Sequence, residues 1–411
     1  MRVLLCTLPA LGHFHPMAPL ARALQDAGHQ PVFATSASFA PAVRRAGFEV
    51  ETAGLDWLES EAERAFPDLM DDPRSLELYT TRHVWPRVFA RAAEPMLRDL
   101  VELMRTRRPD VVVSAGIEFS GPLAAEASGV PHVRMGIDAF RPLSALGPGL
   151  GAYLEQTRAS LGLPPDPSME RFCPWLYLDV YPPSMQRGTP EEMLPVTRVV
   201  RPQPFVADDG QAYPWLDALG ERPVVHVTMG TIFNRVSDTF ETVLRGLRDL
   251  PVDVVVTVGP NRDPALLGPQ PPNVRVERFV PLPRLLERAS VVICHAPYNT
   301  TMAALGAGIP MLCVPFAGDQ LYNAFRVAAC GAGLRLDRRR LSAGDIGSAV
   351  RRLLEEPVHR LGAERLAAEI AALPPVSSAV PLLEEVAAGR SLAPVAGDAH
   401  RRSHEEARST R

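Results

Sequence analysis

Residues 291–323, VVICHAPYNTTMAALGAGIPMLCVPFAGDQLYN, constrain the fold more than any other stretch of the chain. The run 291–294 is apolar and β-branched and has the length of a buried strand. His295 follows, then a turn-like Ala296, Pro297 and Tyr298; Asn299, Thr300 and Thr301 suit the start of a helix. That helix continues from Met302 and stops near Gly306 and Gly308. A second apolar strand, 311–314, runs to Pro315 and then to Asp319 and Gln320. Polar groups thus gather where strands end, which is where open parallel sheets bind ligands. A helix start offers unbonded N–H groups and a positive dipole end, both suited to phosphate. His295 adds a side-chain donor, and Asp319 and Gln320 can accept from and donate to the hydroxyls of a ligand. The competing reading at this point is a satisfied core histidine and a pair of helix-capping side chains.

The same alternation runs through the rest of the chain. Residues 2–7 read as a buried strand, and a loop leads from them into a helix that starts at Pro16. Met17, Leu20, Ala21 and Leu24 repeat at helical spacing, and Gly28 stops that helix. Strands are predicted at 30–34 and 48–51 with a helix at 38–46, giving half of a doubly wound domain. Residues 57–108 read as mostly helical, with a polar piece at 67–74. Strands at 111–114 and 132–135 flank a helix at 121–128. Residues 136–175 read as loops and short helices over a pocket, and 195–215 as a linker. A second α/β run begins at Arg222, with strands at 224–229, 252–258 and 274–277 and helices at 237–250 and 281–289. Helices at 343–354, 357–373 and 377–388 follow the opening stretch. The expected fold class is α/β, two Rossmann-like doubly wound parallel-sheet domains facing a cleft. The expected division is 1–205, 206–374, a helix at 375–388 crossing back to the first domain, and a disordered tail at 389–411.

Composition narrows the function. The 411 residues suffice for two cores, and 46% hydrophobic with 22% charged residues is a globular balance. A net charge of −4 gives no argument for nucleic acid or an anionic membrane. No run is expected to approach the roughly 18 apolar residues of a membrane span, and the start does not read as a signal peptide. The five cysteines are scattered and form no Cys-x-x-Cys pair, so zinc and disulfides are not expected and a reducing cytoplasm is.

His295, Asn299, Thr300, Ala304, Leu305, Gly308, Pro310, Pro315, Asp319, Gln320, Asn323 and Ala324, continuing through Gly331, Ala332 and Gly333, form one ordered pattern. It resembles the nucleotide-sugar signature of the family 1 glycosyltransferases of GT-B fold, and the resemblance covers nearly all of residues 1–388. Ala296 and Pro297 stand where that family usually has glycines, and Pro297 has no N–H to offer a phosphate. The resemblance implies a donor site made of Gly230, Thr231, Val280, His295, Tyr298, Asn299, Thr300, Asp319 and Gln320. In it, Val280 pairs with the base through its backbone. Leu282 stands where the family often has glutamine. No Asp-x-Asp motif occurs, so no metal is expected; His295 and the helix start would take the diphosphate charge. No cofactor is expected besides the sugar-nucleotide cosubstrate.

The stretch from Gly12 to Pro16 resembles the family's Gly-His-x-x-Pro loop, which implies that His13 is the general base. Histidine has the right unperturbed pKa for that task; the other reading is that His13 only caps a helix. His15 occupies a variable position and is expected to be structural or acceptor-facing. A histidine base needs an orienting carboxylate, and Ala115 stands where the family often has one. Glu118 is the nearest acid after that strand and is the expected partner; Asp138 is its rival. Trp57, Phe66, Trp85, Phe89, Phe140 and Tyr153 are expected to line an acceptor pocket, with core positions as the alternative. The resemblance is to bacterial enzymes that decorate natural products. It implies inverting transfer from a dTDP- or UDP-deoxysugar to an apolar, polyketide-like aglycone, and is compatible with a homodimer. A sugar-nucleotide epimerase and a catalytically weak aglycone-binding partner protein are the other classes left open.

Overall fold

The structure is a computed structural model that describes residues 1–70, 84–140, 142, 148–188, 193–205, 211–230, 237–259, 262–390 and 392. The chain divides into two compact units. The first comprises Met1–Tyr181, Gln186–Arg201 and Pro374–Arg411, and the second Pro182–Met185 and Pro202–Leu373.

The first unit is built on seven strands: β1 (Arg2–Cys6), β2 (Gln30–Thr35), β3 (Glu49–Thr52), β4 (Val111–Ala115), β5 (His132–Met135), β6 (Leu176–Asp179) and β7 (Thr197–Val199). They lie in the order β3-β2-β1-β4-β5-β6-β7, and every pairing is parallel. Leu4 on β1 sits between Val32 and Val112 on its two neighbours. The central runs, residues 3–6 of β1 and 111–113 of β4, are apolar and buried at every position, which fits strands covered on both faces. The covering helices include α1 (Leu11–Asp26), α2 (Ala40–Arg45), α3 (Val84–Arg107), α4 (Ser120–Ala127) and α5 (Pro148–Ser160). Leu97, Leu100 and Met104 of α3 pack with Leu4, Val112 and Leu123 in one core.

The second unit holds β8 (Val224–Thr228), β9 (Asp253–Thr257), β10 (Val274–Glu277), β11 (Ala289–Cys294), β12 (Met311–Cys313) and β13 (Gly333–Arg335). These form a parallel sheet in the order β10-β9-β8-β11-β12-β13. Its principal helices are α6 (Ser237–Leu247), α7 (Tyr298–Gly306), α8 (Gln320–Ala329), α9 (Ala343–Glu355) and α10 (Pro357–Ala372). The chain order of the strands reverses between β8 and β11, with all strands still parallel, and this is the switch point where such sheets bind ligands. The last helix, α11 (Ala379–Ala387), belongs to the first unit. It is tied there by His29 Nε2 to Glu384 Oε1 at 3.0 Å, and Arg201 N donates to the Pro374 carbonyl at 2.7 Å.

The fold class is the expected one, with local differences. Helix α1 begins at Leu11 rather than Pro16, because proline is tolerated near a helix start and does not mark it. The stretch read as a linker contains β7, the one read as loops and short helices contains the 13-residue helix α5, and β6 lies between the two stretches, where no strand was expected. Strands of 3 and 4 residues between prolines carry too little periodicity to be recognised. The stretch Pro357–Ala387 is apolar enough for a membrane span, against expectation. Its alanine content explains that, and Pro374 and Pro375 break it into α10 and α11, which belong to different units.

Candidate active site

In the second unit, parallel pairing of β8 and β11 sets Thr228 opposite Cys294. The residues that follow these strand ends, Gly230 and His295, therefore meet. Gly230 has a φ of +68°, and a Cβ there would lie 2.7 Å from His295 Cε1. His295 is buried, and burial lowers its pKa to about 3 against a hydrogen bond to the Thr228 backbone that raises it. It is a neutral imidazole near pH 7. The Phe316 ring stands edge-on to it at 6.2 Å.

Ala296 follows with a φ of +61°. This left-handed conformation accounts for the glycine that the resembling pattern carries here. Pro297 is extended, at φ −71° and ψ 156°, and α7 starts at Tyr298. The Tyr298 N–H donates to Asp319 Oδ2 at 3.2 Å. The same oxygen accepts from Asn323 Nδ2 at 2.9 Å, and Asn323 also donates to the Ala296 carbonyl at 3.0 Å. Asp319 thus holds the first turn of α7 and the strained Ala296 together. The next two N–H groups, those of Asn299 and Thr300, make no hydrogen bond among the described residues. They are the donors a phosphate would find.

Gln320 requires a correction. Its Oε1 accepts from the N–H groups of Phe316 and Ala317 at 2.9 and 3.1 Å, so it braces the loop after β12. Only Nε2 remains as a donor for a sugar oxygen. The Val280 side chain is buried with Val224, Val255 and Leu285, which leaves its backbone as the part able to meet a ligand. Thr231 lies outside the described residues.

In the first unit, the chain leaves β1 and enters α1 through an extended Ala10, at φ −149°. His13 lies in the first turn of that helix, its N–H donating to the Ala10 carbonyl at 3.1 Å. Pro16 and Pro19 lie farther along the helix and lack the N–H groups that would bond to Gly12 and His15. The His13 ring is buried, edge-on to Phe89 at a centroid distance of 6.3 Å. His13 Nε2 lies 3.2 Å from Glu59 Oε2. Its Nδ1 has no partner among the described residues.

Glu118 is not the partner of His13. Its Oε1 and Oε2 accept from the N–H groups of Ser120 and Gly121 at 2.7 and 2.8 Å, capping α4. Burial raises its pKa, and those hydrogen bonds oppose the rise. Asp138 makes no ion pair with His13 among the described residues. The carboxylate at His13 comes instead from Glu59, in a single helical turn, Glu59–Glu61, after β3. Nothing in the sequence marked it, since Glu59 stands among Glu61 and Glu63 in a stretch read only as helical.

The proposed acceptor aromatics separate. Trp57, Phe66 and Phe89 belong to the core of the first unit, with Phe66 fully buried and edge-on to Trp57 at 5.1 Å. Phe140 packs on Tyr177 in another cluster, and Tyr153 is partly buried against the main core. These positions are structural because the helices after β3 need apolar faces of their own. The side chain of Trp85 lies outside the described residues. A cavity of about 10 Å³ beside Trp57 and Phe89 has room for no more than a water. His15 is half-buried beside Phe14, and burial lowers its pKa to about 4.

Two parallel-sheet units, a glycine-backed histidine and an open helix N-terminus define a GT-B glycosyltransferase, and the comparisons with known proteins agree. Residues 22–230 match the N-terminal domain, and residues 241–386 the C-terminal domain, of the family described as erythromycin biosynthesis protein CIII-like. The chain belongs to that family. It is 34% identical over 379 residues to the L-demethylnoviosyl transferase of Streptomyces niveus, covering 91% of this chain and 95% of that protein. It is 31% identical over 425 residues to the 4'-demethylrebeccamycin synthase of Lentzea aerocolonigenes, covering 93% and 99%. Among solved structures, the glycosyltransferase VinC in complex with dTDP matches with a TM-score of 0.77 and 28% identity, covering 95% of this chain and all of that one.

Proposed function

We propose that this enzyme transfers a deoxysugar from a dTDP-sugar, in preference to a UDP-sugar, to a hydroxyl of an apolar natural-product aglycone, with inversion at the anomeric carbon. The observation that carries the donor half is the start of α7. There, two N–H groups without a hydrogen bond among the described residues, on Asn299 and Thr300, follow His295 in the chain after a turn held by Asp319. Such a turn stabilises a departing diphosphate by fixed dipoles, with no metal or cofactor required. His295 is suited to donate a hydrogen bond as a neutral group. The dTDP bound by VinC supports the choice of base.

His13 serves as the general base in this reading. The acceptor oxygen gives its proton to the imidazole as it bonds to the anomeric carbon. The bond from that carbon to the diphosphate oxygen breaks, and the nucleoside diphosphate leaves. One displacement turns an α-linked donor into a β-linked product. The five free cysteines suit a reducing cytoplasm.

Thermal unfolding against a panel of dTDP and UDP, with and without sugars, tests the donor. A ligand at a hundred times its Kd adds about 2.7 kcal/mol of stability. Protection by dTDP at lower concentration than UDP is expected, and the reverse order would overturn the choice of base. Turnover in the presence of a chelator is expected to stay intact; loss restored by magnesium or manganese would overturn the metal-free assignment.

A further inference from the structure

The acid expected after β4 is missing at Ala115, and Glu118 is committed to capping α4. His13 nevertheless has a carboxylate beside it. We propose that Glu59 is the positioning residue for His13, holding the imidazole proton on Nε2 so that Nδ1 takes the proton of the acceptor hydroxyl; this rests on the reading of His13 as the base.

Three observations carry the assignment. The pair is close and enclosed: Nε2 to Oε2 is 3.2 Å, and the side chains are only 9% and 10% exposed. Charge interactions are stronger there than on the surface. Glu59 is also held in place by its surroundings. Its N–H donates to the carbonyl of Pro9, in the loop that leads into α1, at 3.2 Å. Two residues earlier, the Trp57 carbonyl accepts from Ser36 Oγ at 2.6 Å. Finally, the other imidazole nitrogen, Nδ1, has no partner among the described residues, although it is covered. Phe89 lies edge-on beside the ring, so an acceptor reaches Nδ1 only as neighbouring side chains part.

The chemistry follows from the charges. An ionised Glu59 only accepts hydrogen bonds, so the neutral ring faces it with Nε2–H and keeps its lone pair on Nδ1. When the acceptor O–H bond breaks, the proton goes to Nδ1. The imidazolium that results is stabilised by Glu59, which stays ionised throughout. Glu59 forms the one ion pair made by His13 among the described residues. Glu118, which lines the small cavity beside Phe89, directs its oxygens at Ser120 and Gly121.

Glu59→Gln keeps an acceptor oxygen and removes the charge. It is expected to lower kcat, by less than the roughly 10²–10⁴-fold loss expected of His13→Ala. The acidic limb of the kcat/KM profile is expected to move to lower pH, because the carboxylate that favours the imidazolium is gone. A packing role would not move that limb. Glu59→Asp should recover part of both effects. An active Glu59→Gln with an unmoved limb, beside an inactive His13→Ala, overturns the role of Glu59 alone. A fully active His13→Ala overturns the base assignment itself. Should the Glu59 variants fail to fold, nitrogen-15 NMR of the imidazole in the unmodified protein decides. The Nε2–H tautomer is expected for His13, and an Nδ1–H tautomer overturns the proposal.

Discussion

Gly230 and His295 are so close that a methyl group on Gly230 would lie 2.7 Å from the Cε1 and 3.0 Å from the Nε2 of the imidazole. The two residues follow adjacent parallel strands whose register sets Thr228 against Cys294. The glycine is needed twice: for its φ of +68° and for the space the ring occupies.

Gly230→Ala therefore tests whether the position of His295 matters to the donor. The left-handed conformation alone costs an alanine about 1–2 kcal/mol, and the clash must displace the ring. A lower Tm and weaker protection by dTDP are expected together. An unchanged Tm with unchanged dTDP protection would show that the ring shifts freely and that its placement is irrelevant.

Ala296→Gly should act in the opposite direction. Ala296 holds a φ of +61°, at the same cost of about 1–2 kcal/mol for a residue with a Cβ. Glycine removes that strain but adds unfolded-chain entropy of about 0.4–1 kcal/mol. A net stabilisation of about 0–1.6 kcal/mol is the expected result by denaturant titration. A clear destabilisation would mean that the alanine methyl contributes packing beyond its strain.

Acid should destabilise the fold below neutral pH. Burial lowers His132 and His226 from 6.5 to about 4 and His295 to about 3, and His15 also falls to about 4. Between pH 6.5 and 4 the unfolded chain binds protons that these folded histidines refuse, so stability is lost as pH falls through that window. Burial raises Asp179 from 3.8 to about 7 and raises Glu118 as well, which works the other way: their contributions are lost as pH rises through the raised values. Four histidines outweigh these two carboxyls, and Tm is expected to drop from pH 7 to pH 5. A Tm that holds or rises would show that they do not. His226→Gln should flatten the dependence, since it removes a buried imidazole whose Nε2 lies 3.1 Å from Thr257 Oγ1.

The candidate residues of the second unit were more legible in the sequence than those of the first, for physical reasons. Residues 291–323 hold their chemistry in one contiguous strand-turn-helix, so His295, Asn299 and Asp319 follow one another in the fold as they do in the chain. His13 needs a partner from elsewhere. Glu59 reaches it through a tether to Pro9 that no spacing rule encodes. Glu118, nearer to the expected position along the chain, was taken by the unbonded N–H groups that every helix start presents. The aromatics were ambiguous for a related reason. Trp57 and Phe66 stabilise helices outside the sheet, and burial there looks in sequence the same as lining a pocket.

Asp319 separates two ways of serving the donor. Its Oδ2 accepts from the Tyr298 N–H and from Asn323 Nδ2, so the residue shapes the turn before α7 whether or not it also touches a sugar. Loss of such a cap costs about 0.5–2 kcal/mol. Asp319→Ala is expected to lower Tm without ligand and to weaken binding of dTDP itself, which carries no sugar. Asp319→Asn can keep an acceptor oxygen toward Tyr298, so it should retain more of the Tm and of the dTDP affinity. Aglycone binding should survive both changes, because the His13 pair lies in the other unit. A different pattern would reassign the residue. If Asp319→Ala binds dTDP and melts as the unmodified protein does, yet loses the sugar nucleotide, its role is to the sugar alone and the capping bond is dispensable.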